Sequence, residues 1–346
     1  MISKIKLLHF LGFTRDVKDE DVSETSDMFE VDFCPGVNIF IGENGTGKTS
    51  LLKVLYAFCL YKSSSDLLLS TKIEEMFAWN NKSEFFTFNR NEIYISIEDN
   101  KKTYTTSVKK LNDDICEDTN DIKPDAIPAV FIPSKEMLSH SLGFMALSRK
   151  MRLPFDRTLI DIIMNAELPE SVEISELNQI LLNKISKVIN GKVIYKNDSF
   201  YIVKVDGTEL VFSFEAEGLR KFGLLWKLIR NGLFDEPNSI LFWDEPEANL
   251  NPELIPVLVE ILLELQKSGV QLFIATHSSN FAQYFDILKT KDNSVMFHSL
   301  YKKSDGHIYC DSSEKYYKLI NNSIERADEK LGDVIVEKAL EEITNG

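Results

Sequence analysis

The chain is short of cysteine, of positive charge and of long apolar runs, and each shortage excludes something. Four cysteines occur in 346 residues, Cys34, Cys59, Cys116 and Cys310, far apart and with no CxxC pair. They read as reduced cytosolic thiols, not as a disulfide framework or a zinc site. Lys plus Arg number 39 against 54 Asp plus Glu, for a formal net charge of -15. That sign argues against a protein that coats nucleic acid with its whole surface, and leaves room only for a local basic groove. No stretch reaches the ~18 apolar residues of a membrane span, and the apolar run at the N-terminus is too short for a signal peptide. The expected location is therefore cytoplasmic, away from any membrane. Glycine and proline together are few, and the 44% apolar and 27% charged fractions are those of a globular chain. The length suggests about two domains, or one large domain with an insertion.

What is present is organised around two separated segments. Val37–Ile41 is a short apolar run that follows the turn Pro35-Gly36 and leads straight into Gly42-Glu43-Asn44-Gly45-Thr46-Gly47-Lys48-Thr49. Leu51, Leu52, Leu55, Tyr56 and Cys59 then recur at helical spacing. Strand, glycine loop and helix make a complete phosphate-binding loop. The glycines let the backbone curl so that its N–H groups converge on phosphate at a helix N-terminus. Lys48 would reach the β- and γ-phosphates and Thr49 would be a Mg²⁺ ligand. The nucleotide cradle so defined comprises Asn44, Gly45, Thr46, Gly47, Lys48, Thr49 and Ser50.

The second segment alternates helix and apolar strand: helix 217–230, strand 239–243, helix 252–267, strand 270–275 and a helix from 279. Near-continuous apolar strands of this kind are covered on both faces. Ile240–Trp243 ends in Asp244-Glu245, 196 residues beyond Lys48. Asp244 would hold Mg²⁺, and Glu245 would orient or deprotonate an attacking water. His277 closes the next strand and would donate to the γ-phosphate or hold that water. His9, His140, His298 and His307 have no such setting, and no metal cluster is expected.

Between these segments the pattern is looser. Strands are expected at Glu92–Ile97, near 102–107 and at Ala129–Ile132, with residues 156–190 helical. Turns at Asn197-Asp198 and Asp206-Gly207 suggest two or three further strands. Residues 15–32 carry an acidic run read as a surface loop, and the acidic stretch 111–125 reads as a mobile loop. The tail from 294 holds two strands and a charged helix, Ile324–Glu342.

Gly42 to Thr49, Asp244 to Pro252 and His277 together resemble the ABC-type ATPase head. More narrowly they resemble the SMC, RecF and overcoming-lysogenization-defect group of AAA-family ATPases, relatives of DNA-repair proteins and of bacterial anti-phage systems. The resemblance covers residues 1–60 and roughly 210–300. It implies an α/β fold, a P-loop NTPase of ABC-head type with a mixed central sheet, flanking helices and an inserted helical and β region over 61–204. The core would then be 1–60 and 205–300, with 301–346 a C-terminal extension. It further implies ATP and Mg²⁺, the Walker A roles for Lys48 and Thr49, the Mg²⁺ role for Asp244, the catalytic base for Glu245 and the switch histidine for His277.

By the same resemblance, Glu247 to Pro252 matches the D-loop, and Phe214 to Lys221 the signature motif. The signature serine position holds Ala216 and a glycine position holds Glu217, while Gly218 remains, at a helix N-terminus where anions bind. Either Glu217 turns away and Arg220 or Lys221 supplies positive charge, or activation in trans is weak. No glutamine lies between Thr49 and Gln179, so the Q-loop contact would fall to Ser134 or Glu136. The expected activity is ATP hydrolysis with head-to-head dimers as its mechanical output. No nuclease constellation is apparent, which points to a separate effector protein, as in anti-phage systems. The alternative is a DNA-binding, RecF-like repair or genome-maintenance ATPase, whose groove could draw on Lys101-Lys102, Lys109-Lys110, Arg149-Lys150, Arg152 or Lys302-Lys303.

Overall fold

The computed structural model describes residues 1–13, 28–63, 68–78, 92–100, 102–111, 114–119, 126–144, 147, 150 and 155–345. Most of the early acidic run, and Lys101, Arg149 and Arg152, lie outside the described residues. The central sheet has six strands in the order β14-β13-β3-β12-β11-β7. These are β3 (Val37–Gly42), β7 (Ala129–Ile132), β11 (Ile240–Asp244), β12 (Gln271–Thr276), β13 (Val295–Lys302) and β14 (Ile308–Ser313). All neighbours are parallel except the β13–β14 pair. Parallel pairing puts the carboxyl ends of β3, β12, β11 and β7 on one edge, where open α/β sheets bind ligands.

Alternate residues of each central strand feed two cores. Ile39, Ile41, Trp243, Ile274 and Phe297 face one of them. There they meet helices α3 (Arg157–Glu167), α4 (Glu176–Ile189), α5 (Glu217–Arg230), α6 (Ile255–Lys267) and α7 (Ser279–Leu288). Phe40, Phe131, Phe242 and Phe273 face the other core, against helix α1 (Lys48–Ser63). Their rings lie in a row, with Phe242 5.2 Å from Phe273 and 6.2 Å from Phe131. Beyond α1 stands a second, antiparallel sheet, β2-β1-β4-β5-β6. Its strands are β1 (Ile2–Leu8), β2 (Phe29–Asp32), β4 (Glu92–Asp99), β5 (Thr103–Leu111) and β6 (Asp114–Thr119), with α2 (Leu69–Phe77) packed on α1. Sandwiched between two sheets, α1 buries Val54, Ala57 and Phe58 as well as the face expected from its periodicity.

Two readings of the sequence are revised by this arrangement. The acidic stretch 111–125 is not all loop: β6 pairs with β5 from Leu111↔Asp114 to Thr106↔Thr119. An edge strand is built by backbone pairing to one neighbour and tolerates charge, so counting acidic residues missed it. The span 61–204 is threaded through the whole molecule. Its β7 is the edge strand beside β11, and its β4 pairs with N-terminal β1. The hairpin β8 (Gly191–Lys196)–β9 (Ser199–Lys204) turns at Asn197 and Asp198, both at positive φ, as an I′ turn requires. The short β10 (Glu209–Val211) completes that three-stranded sheet.

His298, given no role by sequence, is a core residue. Its ring stacks on Phe40 at 4.9 Å, Nδ1 lies 2.8 Å from Ser312 Oγ and Nε2 3.3 Å from Asn38 Oδ1. Asn38 Oδ1 also accepts from the Cys34 N–H, so it faces Nε2 as an acceptor. Burial pushes the imidazole down to about 3. In the unfolded chain it takes a proton near its ordinary value, about 6.5. Unfolded chains therefore bind the extra proton, and stability is lost as pH falls below about 6.5. Urea titrations should show wild type losing about 1.4 kcal/mol per pH unit more than His298→Gln between about pH 6 and 4. Parallel pH profiles for the two proteins would contradict this assignment.

Candidate functional site

The loop from β3 into α1 is fixed by its glycines. Gly42, Gly45 and Gly47 have φ of 155°, 75° and 82°, the left-handed half of backbone space that other residues avoid. A Cβ on Gly42 would run into Leu300 O, and one on Gly47 would stand 2.5 Å from Phe13 Cζ. The close approach to β13 and to the Phe13 ring beneath the loop therefore demands glycine at both positions. At the first turn of α1, Lys48 is only 4% exposed. Its ammonium donates to Gly42 O at 2.7 Å and Glu43 O at 2.9 Å, and lies 3.3 Å from His277 Nδ1. Burial pulls its pKa down to about 8 against the opposing pull of Asp244 and Glu245.

Thr49, one residue on, donates its hydroxyl to both oxygens of Asp244 at 3.0 Å. Burial raises the Asp244 carboxyl to about 6; the Thr49 hydrogen bond lowers it, and the Glu245 charge adds to the rise. A hydroxyl and a carboxylate side by side are hard oxygen donors suited to Mg²⁺. Among the described residues no cluster of three or more His, Cys, Asp or Glu side chains competes for a metal.

Glu245 sits in left-handed backbone (φ 49°), with its N–H donating to Ala275 O at 2.8 Å. That twist turns the chain at the end of β11 so that Glu245 Oε1 comes 3.2 Å from His277 Nε2. Burial and the Lys48 charge lower the His277 pKa. In the tautomer with its proton on Nε2, the ring donates to Glu245 and Nδ1 can accept from Lys48. The structure thus brings Lys48, Thr49, Asp244, Glu245 and His277 together from three adjacent strands.

Sequence reasoning missed Lys53 and gave Glu247 and Lys221 other roles than the ones they hold. Lys53, one turn beyond Thr49 on α1, pairs with Asp156, and its charge acts on Asp244; the four-residue spacing was the available signal. Glu247 bridges β11 to β12, accepting from Thr276 Oγ1 at 2.5 Å and from the His277 N–H at 3.2 Å. Its other oxygen is buried without a hydrogen-bond partner, and burial raises its carboxyl. Lys221, buried on α5, donates to Glu245 O at 2.8 Å and Pro246 O at 3.3 Å. Nothing in the sequence separates such a lysine from a solvated one.

The signature region is arranged differently from expectation. Ala216 is the N-cap of α5 and offers no side-chain cap. The structure places Arg220 on Glu136, 3.4 Å away, so its guanidinium is paired with a carboxylate of its own chain. Lys221 is committed to the carbonyls just named. Glu136, considered for the Q-loop contact, folds back to accept from Leu138 N and Ser139 N at 2.5 and 3.1 Å. Gly218 has a packing reason of its own: a Cβ there would stand 2.9 Å from Asn249 O. In the segment just beyond, Leu142 is exposed while Phe144 packs 4.6 Å from Phe155.

Because the folded state holds Asp244 near 6 and the unfolded chain near 4, the folded state binds the extra proton between them. Stability therefore falls as pH rises through about 4 to 6. Denaturation without metal or nucleotide should show Asp244→Asn more stable than wild type by roughly 1–3 kcal/mol at neutral pH. The gap should close toward about pH 4. An equally stable or weaker variant at neutral pH would contradict the burial argument.

Comparisons with known proteins bear on the family and the fold. Residues 79–282, more than half of the chain, match the family model described as AAA domain, putative AbiEii toxin, Type IV TA system. The L-cystine import ATP-binding protein TcyN of Bacillus subtilis is 40% identical over 55 residues, 16% of this chain and 21% of its own length. The arginine transport ATP-binding protein ArtP of Haemophilus influenzae is 44% identical over 55 residues, 16% and 22%. The DNA replication and repair protein RecF of Cytophaga hutchinsonii is 39% identical over 62 residues, 18% and 13%. The chain thus spans about a fifth or less of the curated relatives it matches. Among solved structures, an SMC head bound to the C-terminal winged-helix domain of ScpA superposes with a TM-score of 0.55 at 12% identity, covering 94% of this chain and 99% of that one. An Smc head with an extended coiled coil, bound to the C-terminal domain of ScpA derived from Pyrococcus furiosus, gives 0.54 at 12%, covering 96% and 99%. The chain belongs to the family described as AAA domain, putative AbiEii toxin, Type IV TA system, built on the fold of an SMC- and RecF-like ABC-type ATPase head.

Proposed function

We propose that the protein binds and hydrolyses ATP, and that nucleotide switches it between separate heads and a head-to-head dimer. The observation that carries this reading is the convergence of Thr49 on Asp244 and of His277 on both Lys48 and Glu245 at one sheet edge. The buried lysine and carboxylate are each displaced toward their neutral forms, so both gain when a polyanion and a cation enter. The loop N–H groups around Gly45 and Gly47 and the N-terminus of α1 would hold the phosphates, with the Lys48 ammonium exchanging loop carbonyls for phosphate oxygens. Thr49 and Asp244 would hold Mg²⁺, which neutralises charge on the transferring phosphoryl group. Glu245 would orient and deprotonate the attacking water, and His277 would stand by to fix that water or the γ-phosphate.

Dimerisation is supported by the likeness to SMC heads and by the close packing of Gly218 on the Asn249 loop, which brings the signature and D-loop segments together. With Ala216 at the serine position and Arg220 held by Glu136, slow turnover is expected. A regulatory role toward a separate effector, in bacterial anti-phage defence, is part of this proposal; the family description itself names a putative toxin of a type IV toxin–antitoxin system. A RecF-like role in DNA maintenance has the short RecF match in its favour. Of its candidate cations, however, Lys109 is paired with Glu92 at 2.9 Å.

Phosphate release measured with ATP and Mg²⁺ should fall at least about 100-fold in Glu245→Gln, while labelled ATP stays bound. Lys48→Ala should lose ATP binding itself. Undiminished hydrolysis in Glu245→Gln would overturn the assignment of the base.

A further inference from the structure

His277 is the first residue past the sheet ladder. On β12, pairing ends at Thr276↔Ile41 toward β3 and at Ala275↔Asp244 toward β11. The N–H of His277 thus lies beyond the register of both neighbours, and a side chain takes it: Glu247 Oε1, at 3.2 Å. The same oxygen accepts from Thr276 Oγ1 at 2.5 Å, and Thr276 Oγ1 in turn accepts from the Ser278 N–H at 3.0 Å. Thr276, His277 and Ser278 are therefore held in sequence through one carboxylate oxygen.

The imidazole itself is placed by side chains that the proposed chemistry also needs. Nδ1 lies 3.3 Å from Lys48 Nζ, and Nε2 lies 3.2 Å from Glu245 Oε1. In the ATPase reading Lys48 turns to phosphate and Glu245 to the attacking water, so both ring contacts change when nucleotide enters. The Glu247 contacts are to the His277 backbone and a buried threonine hydroxyl, neither of which is assigned to nucleotide or water. Glu247 is itself held from two sides. The Leu250 N–H donates back to Glu247 O at 3.0 Å, and Lys221 of α5 binds the carbonyls of Glu245 and Pro246, the two residues before it. An anchor of this kind must be rigid to fix a reactive group.

We propose that Glu247 is the positioning residue of His277: its carboxylate fixes the backbone from which the imidazole reaches Lys48 and Glu245. In this role Glu247 acts through His277 and not on the nucleotide. The length of the side chain matters. Neighbouring strands lie about 4.8 Å apart, and glutamate spans from the turn after β11 to the end of β12. Aspartate is one methylene short, and alanine removes the acceptor from the His277 N–H and the Thr276 hydroxyl. Glutamine keeps both the length and an acceptor oxygen. The expected effect on turnover rests on the ATPase reading, whereas the placement of the ring is independent of it.

With ATP and Mg²⁺, Glu247→Ala should lower kcat roughly 10–100-fold while KM for ATP moves less than about threefold, the signature of a misplaced group. Glu247→Gln should restore kcat to within about threefold of wild type. In a His277→Ala background, Glu247→Ala should cost less than about twofold more, since the group it places is gone. Glu247→Asp takes the place of the alanine variant throughout if alanine unfolds the chain. NMR of the ¹⁵N-histidine-labelled full chain without nucleotide, at about pH 8 where the ring is neutral, reads the imidazole directly. Wild type and Glu247→Gln should show His277 protonated at Nε2, and Glu247→Ala a mixture of the two tautomers. The proposal is overturned by equal losses in the glutamine and alanine variants, by losses that add in the double variant, or by a His277 spectrum that Glu247→Ala leaves unchanged. A wild type that releases no phosphate would overturn the ATPase reading instead, and the His277 spectrum would still decide this one.

Discussion

The structure depends on holding charge of both signs out of water at the carboxyl ends of parallel strands. Lys48, Asp244 and Lys221 are buried and Glu247 is half-buried within one small region. An isolated buried ion costs several kcal/mol, so each needs partners in fixed places. The fold supplies them from rigid elements: loop carbonyls for Lys48, the first turn of α1 for Asp244, the end of β12 for Glu247 and the turn after β11 for Lys221. The sheet order β3-β12-β11 sets the phosphate loop and the two acidic residues at one edge, with the end of β12 and His277 between them. Burial still outweighs the partners, and Lys48 and Asp244 are displaced in opposite directions toward neutrality.

Much of this was legible in the sequence because the chemistry imposes residue types. Only glycine fits where Gly42 and Gly47 meet Leu300 O and Phe13, and only an apolar run can become a central strand ending in Asp244-Glu245. Near-continuous apolar strands imply cover on both faces, and the structure assigns Ile39 and Ile41 to one core and Phe40 to the other. Illegible were contacts that any charged residue could make. Arg220 faces Glu136 and Lys221 faces backbone carbonyls because α5 presents adjacent residues to different neighbours, and the sequence alone does not rank those neighbours. Strand β6 was hidden because edge pairing is a property of the backbone. His298 was hidden because its partners, Asn38 and Ser312, lie on other strands.

The departures from the family pattern are concentrated in one place. The N-terminus of α5 lacks the capping serine, and its cations are turned inward to Glu136 and to the Glu245–Pro246 backbone. The latter contact ties α5 to the residue whose backbone is in left-handed conformation. Such conformations cost about 1–3 kcal/mol and persist only when neighbours enforce them. Here the enforcing contacts are Ala275 O on one side and Lys221 on the other. This arrangement commits the start of α5 to holding Glu245, in keeping with the slow turnover proposed above.

The central claim is that nucleotide joins two heads, and molar mass tests it most directly. Light scattering of wild type and Glu245→Gln, each with and without ATP and Mg²⁺, should give the 39.6 kDa chain in the absence of nucleotide. With ATP and Mg²⁺, Glu245→Gln should accumulate at twice that mass, and wild type should pass through the larger species as ATP is consumed. One unchanged mass in all four conditions would contradict the account and leave nucleotide acting within a single subunit.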